Sequence, residues 1–190
     1  MSQESPSWAS LAARIRGCTA CSDLALTRRN VVVGSWPGPQ TQVLLVGEAP
    51  GANEDESGIP FVGKAGQLLD TLLAEVALPR ETVAVTNVLK CRPPQNRKPA
   101  RVEVMNCRGW LAAQLAIVDP AFVVALGGTA VEWFFGAGAK IGELRGRFHE
   151  IDGRRVLPTY HPSAAIRFGP RGMPRAALRE DLALVAKSVP

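Results

Sequence analysis

Residues 43–51 read Val43-Leu44-Leu45-Val46-Gly47-Glu48-Ala49-Pro50-Gly51, an apolar run that breaks into glycine, a carboxylate and proline. A continuous Val/Leu run without apolar–polar alternation is the pattern of a strand buried on both faces of a sheet, and the segment after it is a loop. The same order recurs along the chain. Val83-Ala84-Val85 leads into Thr86-Asn87, Phe122-Val123-Val124-Ala125-Leu126 into Gly127-Gly128-Thr129, and Val156-Leu157 towards Tyr160-His161-Pro162-Ser163.

Helical patterns lie between these runs. Gly66 to Val76 carries Leu68, Leu69, Leu72, Leu73 and Val76 at helical spacing, and Arg101 to Val118 is a longer amphipathic stretch stopped by Pro120. Thr129 to Phe135 and Arg175 to Ala186 complete the set, with a further N-terminal helix over Ser7 to Arg16 capped by Ser7. Strands alternating with helices imply parallel βαβ units. The expectation is an α/β fold, a three-layer α/β/α sandwich around a four-stranded parallel sheet, forming one domain over residues 1–190. Ligands of such folds sit beyond the carboxyl ends of the strands, so the four loops should share a cleft.

Composition narrows the classes. At 190 residues, 46% hydrophobic and 21% charged, the chain suits a globular domain and fits neither disorder nor a coiled coil. A core of this size needs no metal or disulfide, so any metal site has a local job. No stretch approaches the run of about 20 apolar residues that spans a bilayer, and Met1 to Trp8 lacks a basic start and an apolar h-region. A cytoplasmic monomer without membrane contact is expected. The net charge is +5, and 17 of 22 basic residues are arginine, which favours forked contacts to phosphate. Lys90, Arg92, Arg97, Lys98, Arg101 and Arg108 face only Glu103 in their stretch, whereas Glu48 to Glu75 is mostly acidic. A polyanion partner with an acidic pocket is one reading; a solvated arginine-rich surface is the other.

The four cysteines are Cys18-x2-Cys21 and Cys91-x15-Cys107. A reducing compartment argues against a disulfide framework, and four thiolates can hold zinc or an iron–sulfur cluster. An x15 gap suits zinc poorly and a [4Fe–4S] cluster better, with unligated buried cysteines as a third reading. Gly58-x4-Gly63-Lys64 nearly matches a phosphate-binding loop, but Ala65 replaces the hydroxyl that holds magnesium and Asp55-Glu56-Ser57 cannot be a buried strand. Of the two histidines, His149 reads as a surface or strand residue. His161, ahead of Pro162, should be extended at the cleft edge, near Asn87 and Glu48 at neighbouring strand ends. Phe61, bracketed by glycines, is either a loop anchor or a stacking surface for a planar ligand.

The combination Gly47-Glu48-Ala49-Pro50-Gly51-x2-Glu54-Asp55, Gly58-x-Pro60-Phe61-Val62-Gly63, Thr86-Asn87-x3-Cys91-Arg92-Pro93-Pro94 and His161-Pro162-Ser163 resembles the family 4 uracil-DNA glycosylases, the iron–sulfur type of bacteria and archaea. The resemblance runs from about Cys18 to the last helix. It implies a uracil-DNA glycosylase-like fold in which Cys18, Cys21, Cys91 and Cys107 hold a structural [4Fe–4S] cluster. It also implies a uracil pocket of Gly47, Glu48, Ala49, Glu54, Phe61, Asn87 and His161. Phe61 would stack, Asn87 read the base and Glu54 crowd the methyl of thymine, with His161, Glu48 and Asn87 as the catalytic set. Arg92, Arg97 and Lys98 would face phosphate, and Ile166 or Arg167 would wedge into the base stack, because Ala165 falls where related enzymes insert leucine.

The implied activity is release of uracil from single- or double-stranded DNA at the nucleoid, leaving an abasic site. Some relatives place an aspartate where Ala49 stands; Glu48, Glu54 and Asp55 are alternatives for activating water, as is the absence of any base. A second class is a protein that traps uracil-DNA without turnover, although Arg92 to Val104 lacks the histidine that a trapping branch uses. A third is an iron–sulfur electron carrier.

Overall fold

The computed structural model describes residues 7–190, so most of the Met1–Trp8 stretch read for a leader lies outside the described residues. Helix α1 (Trp8–Arg16) starts where Ser7 Oγ accepts the Ser10 N–H at 3.1 Å. That bond satisfies one of the orphan donors of the first turn. Helix α2 (Ser22–Thr27) follows and leads through an extended segment to β1 (Val43–Gly47). Then come α3 (Ala52–Ser57), α4 (Lys64–Glu75), β2 (Val83–Asn87), α5 (Arg101–Val118), β3 (Phe122–Leu126) and α6 (Gly128–Phe135). The chain closes with α7 (Ile141–Leu144), β4 (His149–Ile151), β5 (Arg154–Thr159), α8 (Pro162–Arg167) and α9 (Met173–Ala186).

The sheet runs β2-β1-β3-β5-β4, with β2, β1, β3 and β5 parallel and β4 antiparallel to β5. The expected count of four is therefore corrected to five strands. The four apolar runs are the parallel strands; the extra one is a three-residue, half-exposed edge strand without a hydrophobic run to announce it. A readable signal lies beside it. Asp152 and Gly153, between β4 and β5, have φ of 50° and 75°, the paired positive values of a tight hairpin turn, and Asp-Gly is the dipeptide such turns select.

Strand alternation sends side chains to opposite faces. Leu44 and Val46 of β1, with Val123 and Ala125 of β3, pack with Leu111 and Leu115 of α5 and Ala130 and Val131 of α6. Val43 and Leu45, with Val124 and Leu126, pack with Leu69, Leu72 and Leu73 of α4 and Leu178, Leu182 and Val185 of α9. Each of the valine and leucine side chains contributes on the order of 1.5–3 kcal/mol on burial. Outside the α5–α6 layer, α1 lays Leu11, Ala12 and Ile15 against Trp110, Ala113 and Ile117 of α5. That docking brings the turn after α1 close to the α5 face that carries Cys107.

Candidate active site

All four parallel strands point their carboxyl ends to one rim. Gly47 and Asn87 are register partners at the ends of β1 and β2, and pairing continues as Val88 N–H donates to the Gly47 carbonyl at 2.9 Å and Leu89 N–H to the Glu48 carbonyl at 3.0 Å. A Cβ on Gly47 would run into Asn87 Oδ1 and the Phe61 ring, so this close approach requires glycine. Phe61 itself sits at φ 55°, a conformation that a bulky residue adopts only under constraint.

Glu54 supplies much of that constraint. Its Oε1 accepts Val62 N–H at 2.9 Å and Gly63 N–H at 2.8 Å, and its Oε2 accepts Gly51 N–H at 3.0 Å. One buried carboxylate thus ties the loop after β1 to the loop that presents Phe61. Gly66 completes the fit, since a Cβ there would collide with the Phe61 carbonyl.

These loops enclose a cavity of about 430 Å³ whose walls include Glu48, Ala49, Glu54, Phe61, Asn87 and His161, with Pro93, Asn96, Arg97, Ser163 and Arg167 also lining it. The Phe61 and His161 rings lie 5.8 Å apart at 35°. Asn87 is 2% exposed and its Oδ1 has no hydrogen-bond partner, which is a costly arrangement for a buried acceptor unless a ligand donates to it.

His161 is the extended residue ahead of Pro162 and α8, at φ −72° and ψ 142°. Ser163 N–H donates to its Nδ1 at 3.1 Å, so Nδ1 carries a lone pair and the proton of the neutral ring resides on Nε2. Burial pushes the imidazole down from 6.5 to about 4, outweighing the nearby Glu54 charge. The pocket walls surround the ring even though part of its surface opens to the cavity. Gly127, at φ 89°, allows this packing: a Cβ there would meet His161 Cβ at 2.9 Å. Glu48 Oε2 accepts the Thr129 hydroxyl from the first turn of α6.

The structure therefore gathers Glu48, Ala49, Glu54, Phe61, Asn87 and His161 at one cavity, with Gly47 beneath it. Arg97 and Arg167 reach its rim. Arg97 is also committed to Glu103 through bonds of 2.6 and 2.9 Å, and Arg92 Nε donates to Asn96 Oδ1 at 2.7 Å, so both guanidiniums are partly engaged. Lys98 is exposed outside the cavity lining, and Ile166 on α8 is 44% exposed. Phe168, two residues on, is 64% exposed and had not been singled out. Asn96 is a further lining residue that the sequence reading passes over, and Thr129 and Ser163 appear in it only as members of the loops after the third and last apolar runs. Thr129 was readable in principle, as the residue closing Gly127-Gly128-Thr129 after an apolar strand.

The cysteines meet elsewhere, behind the β2 end. Cys18 follows α1, Cys21 caps α2, Cys91 follows β2 and Cys107 lies on α5; together with Ile15, Leu24, Leu89 and Trp110 they line one apolar cavity. Three of the four sulfurs accept an N–H: Arg28 Nη1 donates to Cys91 Sγ at 2.9 Å, Trp110 Nε1 to Cys18 Sγ at 3.3 Å and Asn106 Nδ2 to Cys21 Sγ at 3.6 Å. Among the described residues no three His, Cys, Asp or Glu side chains converge closely enough to hold one metal ion. Four sulfurs around one apolar cavity form a thiolate donor set of the kind that holds zinc or an iron–sulfur cluster.

Fold and rim together define an α/β protein with a polar cavity at the carboxyl ends of its parallel strands. Residues 31–183 match the model of the uracil DNA glycosylase superfamily. A type-4 uracil-DNA glycosylase of Thermotoga maritima is 47% identical over 157 residues, covering 81% of this chain and 80% of the relative. One from Saccharolobus solfataricus is 38% identical over 188 residues, covering 94% and 85%, and one from Archaeoglobus fulgidus is 41% identical over 160 residues, covering 80% and 79%. The chain belongs to the type-4 uracil-DNA glycosylases.

Proposed function

We propose that this protein excises uracil from DNA by taking the extruded nucleotide into the Phe61–Asn87–His161 cavity and hydrolysing its N-glycosidic bond. The observation that carries the reading is the buried Oδ1 of Asn87, which has no hydrogen-bond partner in a residue that lines that cavity. Uracil N3–H donates to this oxygen and uracil O4 accepts from Nδ2; cytosine presents the opposite pattern at both positions. The Phe61 ring covers one face of the base.

The C1′–N1 bond breaks with its electron pair leaving on uracil, and the sugar becomes oxocarbenium-like. Neutral His161, with its proton on Nε2, donates a hydrogen bond to the uracil oxygen where negative charge grows. Burial keeps the ring in this neutral form, because the imidazole is held down to about 4. A water oxygen then bonds to C1′ and its proton passes to the departing base. Glu48 lines the cavity with one oxygen held by Thr129, placed to orient that water or stabilise the cationic sugar. Glu54 has both oxygens engaged by backbone N–H groups, which supports a shaping role, including crowding of the thymine methyl, over a base role.

The cysteine cavity fits a [4Fe–4S] cluster held by Cys18, Cys21, Cys91 and Cys107, which when bound would supply structural cross-linking. Cys91 and Cys107 bracket the Pro93–Arg97 turn that lines the active cavity, where Gln95 and Asn96 both adopt φ 54°. DNA phosphates would meet Arg92, Arg97, Lys98 and Arg167 at this rim, with Ile166 and Phe168 available to fill the gap left in the stack. The enzyme would act as a monomer on nucleoid DNA in the cytoplasm. Incubation with a uracil-containing strand and a matched thymine strand, followed by alkali, tests the function. Scission at uracil alone supports it; intact uracil DNA in the presence of iron-loaded protein contradicts it.

A further inference from the structure

Lys90 is 1% exposed and is the largest fully buried side chain of the described residues. Lysine is almost never buried completely without partners. Here its Nζ donates to Thr86 Oγ1 at 2.8 Å and to the Asn87 carbonyl at 2.5 Å. Both bonds need only two N–H groups, which a lysine offers whether or not it carries the third proton. Thr86 Oγ1 also lies 3.0 Å from the Val33 carbonyl and 3.1 Å from Gln114 Oε1, and Gln114 Nε2 donates to the same Val33 carbonyl at 2.7 Å. The Lys90 backbone is committed too: its carbonyl accepts Val32 N–H at 2.8 Å, and Lys90 lines the cysteine cavity beside Cys91.

One residue therefore grips the peptide of Asn87 with its side chain while lining the cysteine cavity next to Cys91. Asn87 closes β2, and beyond it the chain leaves the sheet to reach Cys91. Val88 N–H still donates to the Gly47 carbonyl at 2.9 Å and Leu89 N–H to the Glu48 carbonyl at 3.0 Å, while the Asn87 carbonyl on the other side of that peptide is held by Lys90 Nζ. Nothing in the catalytic scheme uses Lys90, and a Lys at the interior of a cluster-bearing turn is costly to desolvate, so its two side-chain bonds need a reason.

We propose that Lys90 is a positioning residue for uracil recognition: by holding the Asn87 carbonyl and Thr86 hydroxyl it fixes the main-chain angle from which the Asn87 amide meets the base. This rests on the function proposed above. Rotation of the Asn87 peptide would swing Oδ1 away from N3–H while leaving the rest of the cavity in place. Loss of Lys90 should then damage the chemical step and the choice between uracil and other pyrimidines more than DNA binding.

The test is a double-mutant cycle on uracil release with Lys90→Met, Asn87→Ala and the double variant, with iron content and visible absorbance measured on each. Lys90→Met should keep its iron, lower kcat by about tenfold with KM for uracil DNA nearly unchanged, and add less than about twofold when Asn87 is already alanine. Wild-type kcat in Lys90→Met, or losses that multiply in the double variant, would overturn the proposal. Loss of iron from Lys90→Met would also overturn it, unless Thr86→Val, which removes a partner of the same Nζ and touches no cysteine, keeps its iron and reproduces the tenfold loss and its disappearance in Asn87→Ala. A wild-type protein that releases no uracil would instead remove the function itself.

Discussion

Thr129 Oγ1 donates to Glu48 Oε2, joining the first turn of α6 to the loop that follows β1. A hydroxyl has one proton to give, so the bond fixes one carboxylate oxygen and leaves the other free for the cavity. Thr129→Val is expected to lower kcat for uracil release by about tenfold, with KM little changed, whereas Thr129→Ser should restore most of it. Steady-state kinetics on a uracil oligonucleotide decide the matter; equal rates for the valine and wild-type proteins would remove Glu48 from the chemistry.

Gly47 is the point at which Asn87 and Phe61 touch the sheet. A methyl group there must displace one of them, so Gly47→Ala should reduce uracil release by about a hundredfold while the circular dichroism spectrum stays that of the folded protein. Retained activity would mean that neither side chain needs its observed place.

His161 gives a pH signature. Its imidazole is held down to about 4 by burial, against an ordinary value of 6.5. The neutral donor thus persists through pH 5–8, and kcat should show no acid limb from this group until pH falls towards 4. Between these two values the unfolded chain binds a proton that the folded chain refuses, so stability should fall as pH drops through this window. Replacing His161 with Gln should flatten that part of the stability profile, measured by urea unfolding at pH 4.5 and 7. An acid limb of kcat near 6.5 would contradict the assignment.

The cysteine centre can be checked by colour and composition. Anaerobically purified protein should carry about four iron atoms and be yellow-brown. Cys107→Ser should lose colour and melt several degrees lower, as the α1–α2 turn and the Pro93–Arg97 rim lose their common anchor. Full activity and unchanged melting in a colourless protein would remove the cluster from the structure's support.

Much of the framework was legible because burial on both faces leaves an unmistakable mark: Val43–Val46 and Phe122–Leu126 have no polar residue to make them ambiguous. Strand β4 escaped because His149-Glu150-Ile151 lies at an edge, half in water, where composition is weakly constrained. At the rim, Asn87 and His161 could be read from their places after apolar runs. The roles of Glu54 as a backbone clamp and Lys90 as an internal strut could not. Each depends on partners such as Val62 or Asn87 whose approach exists only once the chain has folded, and sequence spacing does not encode hydrogen-bond direction.

The central claim is that Asn87, Phe61 and His161 receive an extruded uracil, and a crystal structure with free uracil bound tests it most directly. The account predicts uracil N3–H on Asn87 Oδ1, a ring oxygen facing His161 Nε2 and the base lying over Phe61. Uracil bound elsewhere, or bound in the cavity with Asn87 Oδ1 still unpaired, would contradict it.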